Sequence, residues 1–126
     1  MMKLNNLHSL EEAVDAIKRF CEVQNLPDKV CFNINLVCEE LIVNLLSYTE
    51  SRSFNLEINP LNGKVKITLR YTGPEFDPTK RQKPEEKSVE ERPYGGLGLV
   101  LVNTLASKTE YRYDKKQAQN VIRVIV

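Results

Sequence analysis

A chain of 126 residues and 14.5 kDa fits one domain and leaves no room for a second with its own core. The 41% apolar content excludes wholesale disorder and removes the need for a disulfide or metal staple, because a domain of this size buries roughly two-thirds of its unfolded surface. Eighteen Lys and Arg against seventeen Asp and Glu give a net charge of +1, so nothing in the overall balance draws the chain to nucleic acid or to an anionic membrane.

The N-terminus lacks a basic-then-apolar signal pattern, and no uncharged run reaches the roughly 20 apolar residues of a spanning helix. The expectation is a cytoplasmic protein. Cys21, Cys31 and Cys38 occupy apolar helical positions with no CxxC spacing, which reads as reduced, buried thiols. His8 stands before the first helix with no second histidine, so neither a zinc site nor a histidine-dependent triad can be assembled.

Ser9 and Glu12 form a capping-box pair, and Leu10, Ala13, Val14, Ile17 and Cys21 follow at helical spacing, predicting a helix over 10–24. Asn25, Leu26 and Pro27 stop it. Asp28 is the expected cap of a second helix running to about Thr49, whose apolar face is Val30, Ile34, Cys38, Leu41, Ile42 and Leu45. Phe54, Leu56 and Ile58 alternate with polar residues, as do Val65, Ile67, Leu69 and Tyr71, and Asn62-Gly63 between them predicts a tight hairpin. Residues 79–92 are charged and almost free of apolar side chains, a loop too polar to pack. Residues 97–106 are apolar on every side and suit a buried helix, and strand-like runs at 109–113 and 121–126 close the chain. This order favours antiparallel pairing with helices on one face.

Asn33, Glu40, Asn44 and Ser47 share one stripe of the second helix, with Glu40 and Asn44 one turn apart, about 6 Å along the axis. A carboxylate and an amide oxygen so spaced can hold a magnesium ion that keeps waters and phosphate oxygens as its other ligands; a plain solvated stripe has the same spacing. Gly95, Gly96 and Gly98 precede the apolar helix, where missing side chains would let phosphate approach free N–H groups, although a tight turn explains them as well. No third glycine completes a dinucleotide loop, and no Walker loop is present.

Taken in order, a helix with Glu-x-x-x-Asn, a hairpin, a strand-end glycine turn, a charged loop and Gly-Gly-x-Gly opening a helix make a specific combination. Over nearly its whole length the chain resembles the small anti-sigma-factor serine kinases, bacterial members of the ATPase superfamily that includes gyrase B, histidine kinases and the ninety-kilodalton heat-shock chaperones. The resemblance is carried by Glu39-Glu40-Leu41-Ile42-Val43-Asn44, by Gly73-Pro74-Glu75-Phe76-Asp77-Pro78, by Gly95-Gly96-Leu97-Gly98-Leu99-Val100-Leu101-Val102, and by Glu110-Tyr111 through Asn120-Val121-Ile122-Arg123. It implies an α+β fold, a two-layer α/β sandwich with a mostly antiparallel mixed sheet and helices on one face (the Bergerat ATPase fold). It further implies one domain over 1–126, with an ATP lid at 79–94.

The same resemblance implies ATP and Mg2+ as cofactors. Asn44 would coordinate the metal and Glu40 would be the base for an attacking serine hydroxyl. Tyr71 and Gly73 would stand at the adenine end, with Gly96, Leu97 and Gly98 at the phosphates. The implied partner is a protein, a sigma factor or an anti-anti-sigma-type antagonist, and family members often form homodimers.

Two departures mark this chain. Where the family carries Asp-x-Gly, whose carboxylate accepts from the adenine amino group, this chain has Tyr71-Thr72-Gly73; a phenol there can stack on a base, block the slot, or pack. Tyr48 replaces the usual histidine one turn after Asn44. Two functions stay open: a serine/threonine kinase acting on a small protein partner, for which Glu40, Asn44 and the glycine loop speak, and a non-catalytic docking module of the same fold, for which Tyr71 speaks.

Overall fold

The computed structural model describes residues 2–49, 51, 53–77, 102 and 104–126. Its elements run β1 (Met2–Leu7), α1 (Leu10–Gln24), α2 (Asp28–Tyr48), β2 (Phe54–Leu61), β3 (Lys64–Thr72), β4 (Lys108–Asp114) and β5 (Gln119–Ile125). The five strands form one sheet in the order β1-β2-β3-β5-β4. Every pairing in it is antiparallel among the described residues, and the helices lie on one face, so the expected α+β fold with a mostly antiparallel sheet is the one observed.

Helix α1 starts where its capping box places it: Ser9 Oγ accepts the Glu12 N–H at 3.2 Å, and Glu12 Oε1 accepts from the His8 N–H at 3.3 Å. It ends at Asn25, whose left-handed backbone (φ 51°) lets its N–H reach Cys21 and Glu22 carbonyls. The cap of α2 is Pro27, with Asp28 as the first helical residue, so the capping role expected of Asp28 is not realised; its carboxylate instead faces the positive helix end. The β2–β3 hairpin turns at Asn62 (φ 46°) and Gly63 (φ 81°), two successive positive φ values that a two-residue primed turn requires.

One face of the sheet holds the core. Leu56 pairs with Leu69 and Leu69 with Ile122, while Ile58 pairs with Ile67 and Ile67 with Val124, giving two apolar rows across three strands. Onto these rows α1 lays Ala13, Ile17 and Phe20, and α2 lays Ile34, Val37, Cys38, Leu41, Ile42 and Leu45, all buried. By length and composition α2 is apolar enough to cross a membrane, and its burial on the sheet accounts for that hydropathy. Three of the expected apolar positions differ: Val14 is 39% exposed, and Leu10 and Val30 are only half-buried. Of the buried helix expected over 97–106, only Val102, Thr104 and Leu105 are described as helical; Val102 is buried, and its carbonyl accepts the Ala106 N–H at 2.8 Å.

The opposite sheet face is polar and rich in cations. Lys3, Lys66, Arg70, Arg112 and Arg123 share it with Glu57 and Glu110, and Arg70 pairs with Glu57 at 3.4 Å. The strand β1 was not expected from the sequence. It is held by β2, with Met2 opposite Ile58 and Leu4 opposite Leu56, and its register shifts between Leu4 and Leu7.

Candidate functional site

Three of the expected site residues, Glu40, Asn44 and Tyr71, lie on two elements that pack together, α2 and β3, and Gly73 follows β3 directly. Asn44 is buried, 1% exposed, although its stripe mates differ: Asn33 and Glu40 are half-buried and Ser47 is exposed. The Asn44 Nδ2 donates to the backbone carbonyl of Glu40 at 2.9 Å. That bond fixes the orientation of the amide, whose oxygen is the atom able to ligate a cation.

One turn earlier, Glu40 holds its Oε2 buried with no hydrogen-bond partner among the described residues. Burial, and secondarily the neighbouring Glu39 carboxylate, push the Glu40 carboxyl above the usual glutamate range. A buried, unpaired carboxylate oxygen costs stability unless something else uses it. The sign of the consequence is fixed. With its folded pKa raised, Glu40 keeps its proton longer in the folded than in the unfolded chain, so its contribution falls as pH rises from the unfolded value through the folded one. We therefore expect Glu40→Gln to raise the melting temperature at pH 8 and to change it little at pH 4, as read by thermal melts at both values. A melting temperature lowered at pH 8 would show that the carboxylate is stabilised by partners.

At the other end, the phenol of Tyr71 does not line an open slot. The residue is 4% exposed within the core, and its hydroxyl donates to the Phe76 carbonyl at 2.9 Å. Burial pushes this phenol far above the usual range, so it stays a protonated donor. Of the three fates open to Tyr71, packing is the one realised. Gly73 takes φ 134°, a backbone that only glycine adopts without strain. Its N–H donates to the Ala118 carbonyl at 2.8 Å, and its carbonyl accepts from the Tyr113 hydroxyl at 2.9 Å.

Asn120 organises this turn and was given no role on sequence grounds. Fully buried, it accepts from the Phe76 N–H at 2.9 Å and from the Tyr111 hydroxyl, and its Nδ2 donates to the carbonyls of Pro74 at 3.2 Å and Tyr71 at 3.4 Å. Burial raises the Tyr111 phenol to about 12, leaving it a donor at any ordinary pH. The only sequence signal for this hub was the place of Asn120 in the resembling C-terminal segment. Gly96, Leu97 and Gly98, and the expected lid at 79–94, lie outside the described residues.

The donor set can be weighed against the implied cofactors. Among the described residues no three His, Cys, Asp or Glu side chains cluster as a metal cage. A magnesium ion that keeps most of its waters needs only one or two protein oxygens, and Asn44 beside an unpaired Glu40 oxygen fits that need. The adenine end fits less well, because the expected acceptor is replaced by a committed donor.

A family model for the histidine kinase-like ATPase domain matches residues 4–126. Comparison with curated proteins gives no match. Among solved structures, a chain in the crystal structure of the SiaB–SiaC complex from Pseudomonas aeruginosa is similar in fold, with a TM-score of 0.68 and 15% identity over 100% of this chain and 89% of that one.

Proposed function

The chain belongs to the histidine kinase-like ATPase domain family, and on that premise we propose that it is a cytoplasmic regulatory kinase that binds ATP with Mg2+ and phosphorylates a serine or threonine of a protein partner. The carrying observation is the buried, unpaired Oε2 of Glu40 one helical turn from the buried Asn44. When bound, magnesium would neutralise phosphate charge; Asn44 would hold it, and Glu40, its carboxyl raised by burial, would take the proton from the partner's hydroxyl. That the fold neighbour comes from a two-protein complex supports a protein partner, with a sigma factor or its antagonist regulator as the class proposed.

A second reading rests on Tyr71. With its phenol bonded to Phe76 and its ring in the core, the chain lacks the adenine acceptor of its family, and a docking module without catalysis is the reading this favours. Calorimetric titration with ATP, ADP and GTP in magnesium separates the two. A missing buried acceptor costs about 1 to 3 kcal/mol, roughly ten- to hundredfold in affinity, so the kinase reading expects weak ATP binding with GTP within about threefold of it. Tight binding selective for ATP would show that another group reads the base. Absence of binding by all three would leave the docking module.

A further inference from the structure

The helix layer carries a second recessed surface, far in character from the nucleotide end. Helices α1 and α2 are joined by three residues and pack on each other, and two recesses that share Val14 form a crevice along the pair. One part, of about 450 Å3, lies where α1 ends and α2 begins; the other, about 350 Å3, lies toward the start of α1, and Val14 lines both. The α2 side runs from Asp28 to Glu39, about 16 Å of helix or three turns.

Its chemistry has two parts. The floor is apolar, made by Leu10, Val14, Cys21, Leu26 and Cys31. The walls carry Glu11, Asp15, Glu22, Asp28 and Glu39 against a single cation, Lys18. None of these carboxylates forms an ion pair among the described residues, whose salt bridges are Arg70–Glu57 and Lys108–Glu110 on the far sheet face. Within the crevice, Asn35 gives its Nδ2 to the Cys31 carbonyl at 3.1 Å and leaves its Oδ1 buried with no donor among the described residues. Val23 and Phe32, 80% and 66% exposed, are next in sequence to the lining residues Glu22 and Cys31.

We propose that the α1–α2 crevice is a docking site for a cationic amphipathic helix of a protein partner, whose apolar stripe seats on the Val14–Cys31 floor while Lys or Arg side chains meet the carboxylate walls. Charge selects the occupant. On a chain of net charge +1, the walls of this one recess carry four more acids than bases, a field that raises the encounter rate with a basic partner and repels an acidic one. The three-turn length matches the spacing by which a helix presents side chains to a groove. The assignment is independent of whether the chain binds a nucleotide.

The probe is a designed 16-residue helical peptide with leucines at three- and four-residue spacing and lysines flanking them, followed by fluorescence anisotropy with the full chain. A version with glutamates for lysines is the control. Binding of the lysine peptide is expected, weakened about tenfold by the exposed pair Asp15→Lys and Glu22→Lys and by 300 mM salt, and unchanged by Arg112→Glu on the sheet face. In the unmodified chain the bound peptide should also slow alkylation of Cys31, a readout that needs no variant. Equal binding of the glutamate peptide, no loss on crevice charge reversal, or no binding at all would overturn the proposal. So would sedimentation showing that the chain self-associates and that Arg112→Glu abolishes it as fully as the crevice reversal, because the occupant would then be the basic sheet face of a second copy.

Discussion

Replacing Asn120 by alanine is expected to destabilise the fold by about 3 kcal/mol, more than any other single polar truncation in the described residues. Asn120 makes four hydrogen bonds while fully buried: two with the turn that follows β3, one with the Tyr71 carbonyl at the end of β3 and one with the Tyr111 hydroxyl on β4. Alanine removes the Asn120 oxygen that accepts from the Phe76 N–H and the Tyr111 hydroxyl, and the amide that donates to the Tyr71 and Pro74 carbonyls. Each buried group left unpaired costs about 1 to 3 kcal/mol, and some of that is recovered where the turn relaxes into water. Urea titration measures the loss directly. Amide exchange adds locality: the Phe76 N–H should lose protection in the variant, while Leu69 and Ile122, deep in the sheet, should keep theirs relative to the global stability. A loss under 1 kcal/mol would mean that the turn is held by Tyr71, Tyr113 and the Gly73–Ala118 bond without help from Asn120.

This turn also shows what the sequence could not convey. Helix α1 was legible because its signals are local: Ser9 and Glu12 lie three residues apart, and the stop at Asn25 follows from a left-handed cap. The β2–β3 hairpin was legible for the same reason, since Asn62-Gly63 carries its own positive φ values. Strand β1 was not, because Met2 and Leu4 give only two beats of alternation and the strand exists by pairing with residues more than fifty positions away. Val14 belongs to the apolar stripe of α1 and yet is exposed, because periodicity finds the stripe of a helix but not where its edge meets an open crevice.

Tyr71 is the clearest case. Its three fates are equivalent in one dimension, and the choice among them is made by the Phe76 carbonyl and by Asn120, 49 residues along the chain. Burial has a further consequence for engineering the adenine site. Tyr71→Asp would restore the family's carboxylate, yet it would also empty the space of a ring and place a charge in the core, so a gain in ATP affinity would come with a large loss of stability.

The kinase reading makes its strongest demand on Glu40 and Asn44, which should fail in different ways. Glu40→Gln keeps the shape of the side chain and removes its capacity to accept a proton. Loss of a general base lowers the transfer rate by roughly 10^2 to 10^4, while magnesium-dependent nucleotide affinity should stay within about threefold. Asn44→Ala removes the buried amide oxygen, so affinity should fall and should no longer respond to magnesium. The readouts are phosphoryl transfer to the partner protein, slow ATP hydrolysis in its absence, and calorimetry with and without magnesium. Glu40→Gln carries a second signature, since removing a charge whose Oε2 is buried without a partner among the described residues should raise the melting temperature at pH 8 as activity disappears. Activity and stability moving in opposite directions is what distinguishes a carboxylate kept for chemistry from one kept for structure. Equal transfer by the wild type and Glu40→Gln would remove Glu40 from the mechanism, and equal magnesium response by wild type and Asn44→Ala would remove the metal from Asn44.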